Sequence, residues 1–217
     1  MKKYKKGRYK KALETVKRSL RMPFCPEEVK IFYAHLLILK EEYALAGELL
    51  GKVKPDKLTY AEEAKHAANL AFLLWKTENV GKGIEYITPK MSRGADEGIC
   101  YAAGKMLNAA QNYLEARTYL ETAVESYTNH KGIHNNLCYS YFHTRQFDQF
   151  KIKFREVYRD FGGAESDTLF QMALLKEQEE QVDEAKEFLR EALRMEPVST
   201  DIHGKEEIKG RLERLEG

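Results

Sequence analysis

Cysteine, proline and long apolar runs are all scarce in this chain, and each scarcity removes a class of protein. Its three cysteines, Cys25, Cys100 and Cys138, show no CxxC spacing, so neither a disulfide framework nor a zinc site is encoded. A reducing compartment, most simply the cytoplasm, is the expected location. Only five prolines occur, with 43% hydrophobic and 32% charged residues over 217 positions, the balance of a folded rather than a disordered chain. The longest apolar run is six residues, Leu70 to Trp75, against the roughly 20 that a membrane span needs. The lysines at the amino terminus are followed by more lysines instead of the apolar core of a signal peptide.

Chemistry-bearing motifs are missing as well. The glycines that could cradle a phosphate reduce to GKG at 81–83 and a GG pair at 162–163, neither with the required spacing. No nucleophile, acid–base pair or metal cluster stands out, so the chain is expected to be no enzyme, with no cofactor and no metal. His130 and His134 are four apart, as ligands on one helix face would be, but nothing completes the set. Cys100 and Cys138 read as small buried apolar residues.

Charge is present but uneven. The net charge is +2, yet residues 1–22 hold ten Lys or Arg against Glu14 alone, which leaves 26 basic and 33 acidic side chains beyond them. The two parts of the chain meet different electrostatic surroundings, so the overall balance says little about partners.

What the sequence has in abundance is self-similarity. A phrase of aromatic or Val, two residues, a middle residue and then a large apolar residue four further on recurs down the chain. Its middle residues are Ala12, Ala46, Gly83, Ala116, Phe150 and Ala185, in steps of 34, 37, 33, 34 and 35. Twelve positions before the last five of these stand Ala34, Ala71, Gly104, Cys138 and Ala173. All five are small, as expected where two helix backbones approach closely and an apolar neighbour one turn away fills the gap. Each unit splits into two amphipathic segments with a polar break, and no sustained period-two alternation suggests a sheet. Thr59 and Glu62 have capping-box spacing, and the long helix they open explains the 37-residue step. Ser199, Thr200 and Asp201 offer the start of a last helix with Ile208, Leu212 and Leu215 on one face.

With its small residues at fixed register, the sequence resembles the tetratricopeptide repeat family, most clearly in Leu169, Met172, Ala173, Ala185, Leu189, Ala192 and Pro197. The resemblance implies an all-α right-handed solenoid of helix-turn-helix units. The expected pieces are a half repeat over 5–22, repeats over about 27–55, 59–90, 96–128, 131–161 and 165–197, and a capping helix over about 201–216 that shields the last apolar face. Gly83 and Pro89 predict a weak, short second helix in the 59–90 repeat. Phe150, standing where a small residue belongs, predicts looser or shifted packing there.

The family's groove-facing positions transfer to His35; to Lys65, Asn69, Phe72, Trp75 and Lys76; to Tyr101, Lys105 and Asn108; and to Asn135, Asn136, Tyr139, Phe142 and His143. Asparagine amides can bond both groups of an extended backbone, and Trp and Tyr supply rigid contact area. These residues are therefore the expected site of a protein or peptide partner, with inter-repeat core as the alternative for Phe72 and Trp75 and loop capping or water binding for the asparagines. The expected function is a protein-binding scaffold. The alternative is a basic-ended adaptor docking on a membrane surface or nucleic acid through residues 2–11, in the setting of a membrane-associated or longer protein. The incomplete first repeat exposes an apolar face that a homodimer would cover.

Overall fold

The structure is a computed structural model that describes residues 18, 24–91, 96–196 and 198–217. The expected half repeat over 5–22 lies outside the described residues apart from Arg18, which is helical and exposed. The homodimer face, most of the basic stretch and Pro197 lie outside them too.

Among the described residues there are eleven α-helices and no strand. In chain order they are α1 (Glu27–Leu39), α2 (Tyr43–Gly51), α3 (Tyr60–Thr77), α4 (Val80–Met91), α5 (Glu97–Ala109), α6 (Tyr113–Ser126), α7 (Lys131–His143), α8 (Phe147–Phe161), α9 (Ser166–Gln178), α10 (Val182–Arg194) and α11 (Lys205–Glu216). The odd-numbered helices α1 to α9 stack on one another as an inner row, each also packing on the even-numbered outer helix of its own repeat. No helix among the described residues is long and apolar enough to cross a membrane.

The periodic small residues explain the stacking. Ala34, Ala71, Cys138 and Ala173 are wholly buried, as are Ala46, Ala116 and Ala185 on the outer helices. At Gly104 an added Cβ would sit 2.5 Å from Leu120 Cδ2, and at Gly83 it would meet Met106 Sδ at 2.5 Å and the Ala71 carbonyl at 2.8 Å. The repeat closes only where those positions carry no side chain.

In four of the five repeats the same turn joins the inner helix to its outer partner. Glu41, Gln111, Arg145 and Glu180 take left-handed backbone with φ of 58–65°. The amide after each donates to the carbonyl five residues back, as Asn112 N to Leu107 O at 2.9 Å. This is the Schellman closure, here without the glycine that usually occupies it. The remaining repeat turns at Glu78, with φ −120°, and Asn79 Oδ1 accepts from the Lys82 amide at 3.1 Å.

Three local expectations need correcting. The outer helix of the 59–90 repeat is a full 12 residues with Pro89 inside it. Gly83 strengthens its docking by close approach, and Pro89 falls in the last turn. Phe150 is fully buried, its ring edge-on to Phe142 at 5.5 Å, so the aromatic fills the interface rather than loosening it. The last helix starts at Lys205, with Gly204 as its N-cap, because Ser199, Thr200 and Asp201 are used in a turn described below. The Thr59–Glu62 capping box is present with both of its bonds, and the helix it opens runs to Thr77.

Candidate functional site: the inner helix face

The transferred groove residues all lie on the inner helix row, and most are spent on holding that row together. Asn69 Nδ2 donates to the Ile31 carbonyl at 2.8 Å, one repeat back. Its Oδ1 lies 3.1 Å from His35 Nδ1, which places the His35 proton on that nitrogen. Asn136 Nδ2 donates to the Tyr101 carbonyl at 3.1 Å. Asn108 Nδ2 donates to the Asn136 carbonyl at 2.8 Å, and the Ser140 hydroxyl returns a bond to Asn108 Oδ1 at 2.9 Å. Asn135 donates to the Lys131 carbonyl and accepts the Glu165 amide at 2.8 Å. The asparagines do grip backbone N–H and C=O groups, as their chemistry allows, but the backbone is the protein's own, of neighbouring helices or, for the Asn135 amide, of its own helix.

Lys105 is 3% exposed, and its ammonium donates to Asp167 Oδ2 at 2.6 Å. Burial opposes its charge, but the carboxylates of Asp167 and Glu165 outweigh that and hold it above the usual lysine range. Burial likewise opposes the Asp167 charge. Lys105 and two backbone amides, those of Ile202 and His203, hold it below the ordinary carboxylate range. The pair is thus held ionised, with both Asp167 oxygens bonded by Lys105 and the two amides, the condition under which a buried ion pair is tolerated.

Two aromatic runs lie along the face. Trp75, Phe72, Tyr101 and His130 follow one another at ring separations of 6.2, 5.8 and 5.4 Å. In the second run Tyr113 stacks on His143 at 4.2 Å, His143 meets Tyr139 at 4.7 Å, and His203 sits between Tyr139 and Phe170. Burial, and then His203, push the His143 pKa down to about 4, so that imidazole is neutral across the working range. Phe72, Asn69, Lys105, Asn108, Asn135, Asn136, Tyr139 and Phe142 are buried. Lys65 is exposed, whereas His35, Trp75, Lys76, Tyr101 and His143 are half-buried. The Lys76 ammonium lies 4.0 Å from the centre of the Trp75 ring, a cation–π contact open to one side.

His130 and His134 do not converge. His130 Nδ1 accepts the Ile133 amide as a helix cap, and the His134 ring lies against Phe161. Among the described residues no group of three or more His, Cys, Asp or Glu is placed to hold a metal ion. Burial raises the Cys100 and Cys138 thiols, removing the thiolate that a reactive cysteine needs.

What the sequence reading missed is the segment between α10 and α11. Val198 to Asp201 form a turn in which the Asp201 amide donates to the Val198 carbonyl at 3.0 Å, and Asp201 Oδ2 accepts the Val198 amide at 2.9 Å. The turn reaches the opposite end of the solenoid. The Ser199 hydroxyl donates to the Ile38 carbonyl at 2.6 Å, the Ser199 amide to the Leu39 carbonyl at 3.3 Å, and Lys40 pairs with Glu196 at 2.5 Å. Further on, Ile202 and His203 give their amides to Asp167 at 2.9–3.1 Å, and the Tyr139 hydroxyl meets His203 Nε2 at 2.8 Å. Asp167 stands at the second position of the last repeat, a groove-facing place by the register applied to the earlier repeats. The opposite charge of Lys105 at a groove-facing place two repeats earlier was the signal available.

Residues 166–199 match the model of the tetratricopeptide repeat. A crystal structure of a tetratricopeptide repeat protein from Parabacteroides merdae ATCC 43184 superposes with a TM-score of 0.65 at 13% identity, over 97% of this chain and 79% of that one. Two crystal forms of MamA AMB-1 superpose with TM-scores of 0.50 at 20% and 19% identity, over 75% and 77% of this chain and 85% and 96% of theirs. No curated protein sequence matches the chain.

Proposed function

The chain belongs to the tetratricopeptide repeat family, a generic protein-interaction scaffold, and we propose that it works by holding a segment of a partner protein along its inner helix face. The observation that carries this reading is the segment already there: Asp167 accepts two successive backbone amides, and the end of α1 receives the Ser199 hydroxyl. Contacts directed at main-chain groups recognise a chain by its backbone whatever its side chains, and adjacent aromatic surface then adds selectivity. The preformed helix row adds little ordering cost to binding.

The accessible groups that a partner meets are narrower than the transferred set. On α3 Lys65 is exposed and Trp75 and Lys76 are half-buried, and on the other inner helices His35, Tyr101 and His143 are half-buried. A variant carrying Lys65→Glu, Trp75→Ala and Lys76→Glu tests the reading by affinity capture from the source lysate, with helix content checked by circular dichroism. A partner retained by the wild type and lost from the helical variant is the expected result. Equal retention by both chains sinks the reading. Capture that survives raised salt separates an aromatic, backbone-directed contact from electrostatic docking through the basic stretch.

A further inference from the structure

The ten residues 195–204 between α10 and α11 are more than a packed helix pair requires. The connections α4–α5, α6–α7 and α8–α9 use four or five residues, and helix–helix connections generally use 2–8. α11 packs directly on α10, so a short turn would join them. The extra length is spent on a detour across the inner face to the first repeat and back.

Most holds on the detour use a group that faces the groove or ends an inner helix. Ser199 takes the carbonyls of Ile38 and Leu39 at the end of α1. Thr200, at the tip of the turn, is 1% exposed. Asp201 lies in the field of Lys105 and of the Asp167 and Glu165 carboxylates. The Ile202 and His203 amides take Asp167, the His203 ring sits between Tyr139 and Phe170, and its Nδ1 lies 3.0 Å from Glu207 Oε2. Resting on the reading of the inner face as a peptide groove, we propose that residues 198–203 are an internal occupant of that groove. A partner segment presenting the same groups, a hydroxyl residue, a carboxylate and two adjacent backbone amides on a turn, enters by exchanging with it.

The physical form of the hold suits exchange. The helices are joined through whole apolar faces, whereas this segment is held by a few polar contacts and contributes only Val198 and Ile202, both half-buried, as apolar anchors. A seated segment lowers the partner's apparent affinity by the fraction of time the groove stands open, which makes the detour an intrinsic brake on binding.

The test uses the chain's own sequence as the probe. A variant with residues 198–203 replaced by alternating Gly and Ser, α11 retained, is titrated with a fluorescent peptide EPVSTDIHG into the millimolar range that tethering supplies. The expected result is binding about tenfold or more tighter to the replaced chain than to the wild type, and lost with a scrambled peptide. Equal titration of both chains, or no binding to a replaced chain whose helices are intact, overturns the proposal. Should the replacement unfold the chain, Ser199→Ala with Ile202→Pro removes two of the holds without touching the solenoid. It should give a smaller gain in the same direction, and no gain overturns the proposal. No partner is needed for any arm, so a groove that takes this peptide but captures no protein defeats the proposed function and leaves the exchange standing.

Discussion

The inner and outer helices of this solenoid solve opposite problems. The outer helix α8 buries Phe150, Phe154 and Val157 and turns a charged face to water. Its inner partner α7 is buried continuously from Gly132 to Phe142, including His134, Asn135, Asn136 and Ser140. An outer helix has one neighbouring layer, so amphipathic spacing suffices. An inner helix is enclosed by two inner neighbours, its own outer partner and, over part of the face, the 198–203 segment, so Asn135, Asn136 and Ser140 take their partners inside the protein, while the His134 ring is buried against Phe161. The positions that a repeat scaffold offers to ligands are, in the 96–128 and 131–161 repeats, largely committed to internal bonds.

Breaking matched pairs of residues on the two rows tests that contrast. Lys105→Ala strands the Asp167 carboxylate and should cost about 3–5 kcal/mol. The outer-helix counterpart, Lys151→Ala, removes a partly exposed pair with Glu179 and should cost about 1 kcal/mol or less. Urea unfolding of both variants reads the difference, and similar costs would refute the two-row account. Asn136→Ala leaves the Tyr101 carbonyl without its donor and should cost about 1–3 kcal/mol. Asn112→Ala, at an exposed turn where the side chain caps nothing, should stay within about 0.5 kcal/mol. Glycine gives a contrast of sign. Gly104→Ala forces a Cβ against Leu120 and should destabilise by about 1–3 kcal/mol, whereas Gly210→Ala on α11, with nothing within 4 Å, should stabilise by about 0.5–1 kcal/mol.

The smallest effect is on the seated segment itself. Burial, with Asp167 and Glu165 adding repulsion against the Val198 amide and Lys105, pushes the Asp201 pKa up to about 6. Lys76 on α3 also faces this group. A carboxyl raised above its ordinary value of about 3.9 stabilises the folded form as the neutral acid. Seating should therefore be tightest below about pH 4, weaken as pH rises through about 6, and level off above. Asp201→Asn, neutral and still able to accept the Val198 amide, should remove that slope and raise protection of the Ile202 amide at pH 7.5 but not at pH 4.5. The comparison is between wild type and variant at each pH, so contributions common to both chains drop out. A variant with the wild-type slope would contradict the assignment.

The solenoid was legible because its cause is periodic. One small residue per turn of closest approach, from Ala34 to Ala173, can be counted without coordinates. The inner face was legible in position but not in use. Spacing places Asn69, Asn108 and Asn136 on it, yet the lateral offset between helices decides whether each amide meets a neighbour's carbonyl or an open groove, and no one-dimensional pattern carries that offset. Phe150 and Gly83 misled for a related reason, since the room available at a repeat position depends on the facing residues, Phe142 edge-on to the one and Met106 against the other. The Ser199–Asp201 turn misled because its residues suit a helix start equally well. What diverted them was Asp167, 34 residues earlier, taking the amides of Ile202 and His203.

The central claim is that the inner face holds a non-helical chain segment by its main-chain groups, and amide hydrogen exchange at Ile202 and His203 tests it most directly. Seated against Asp167, both amides should exchange about a hundredfold or more slower than an open chain, while neighbouring Gly204, an exposed helix cap, stays fast. Open-chain exchange at Ile202 and His203, with the helices still protected, would contradict it.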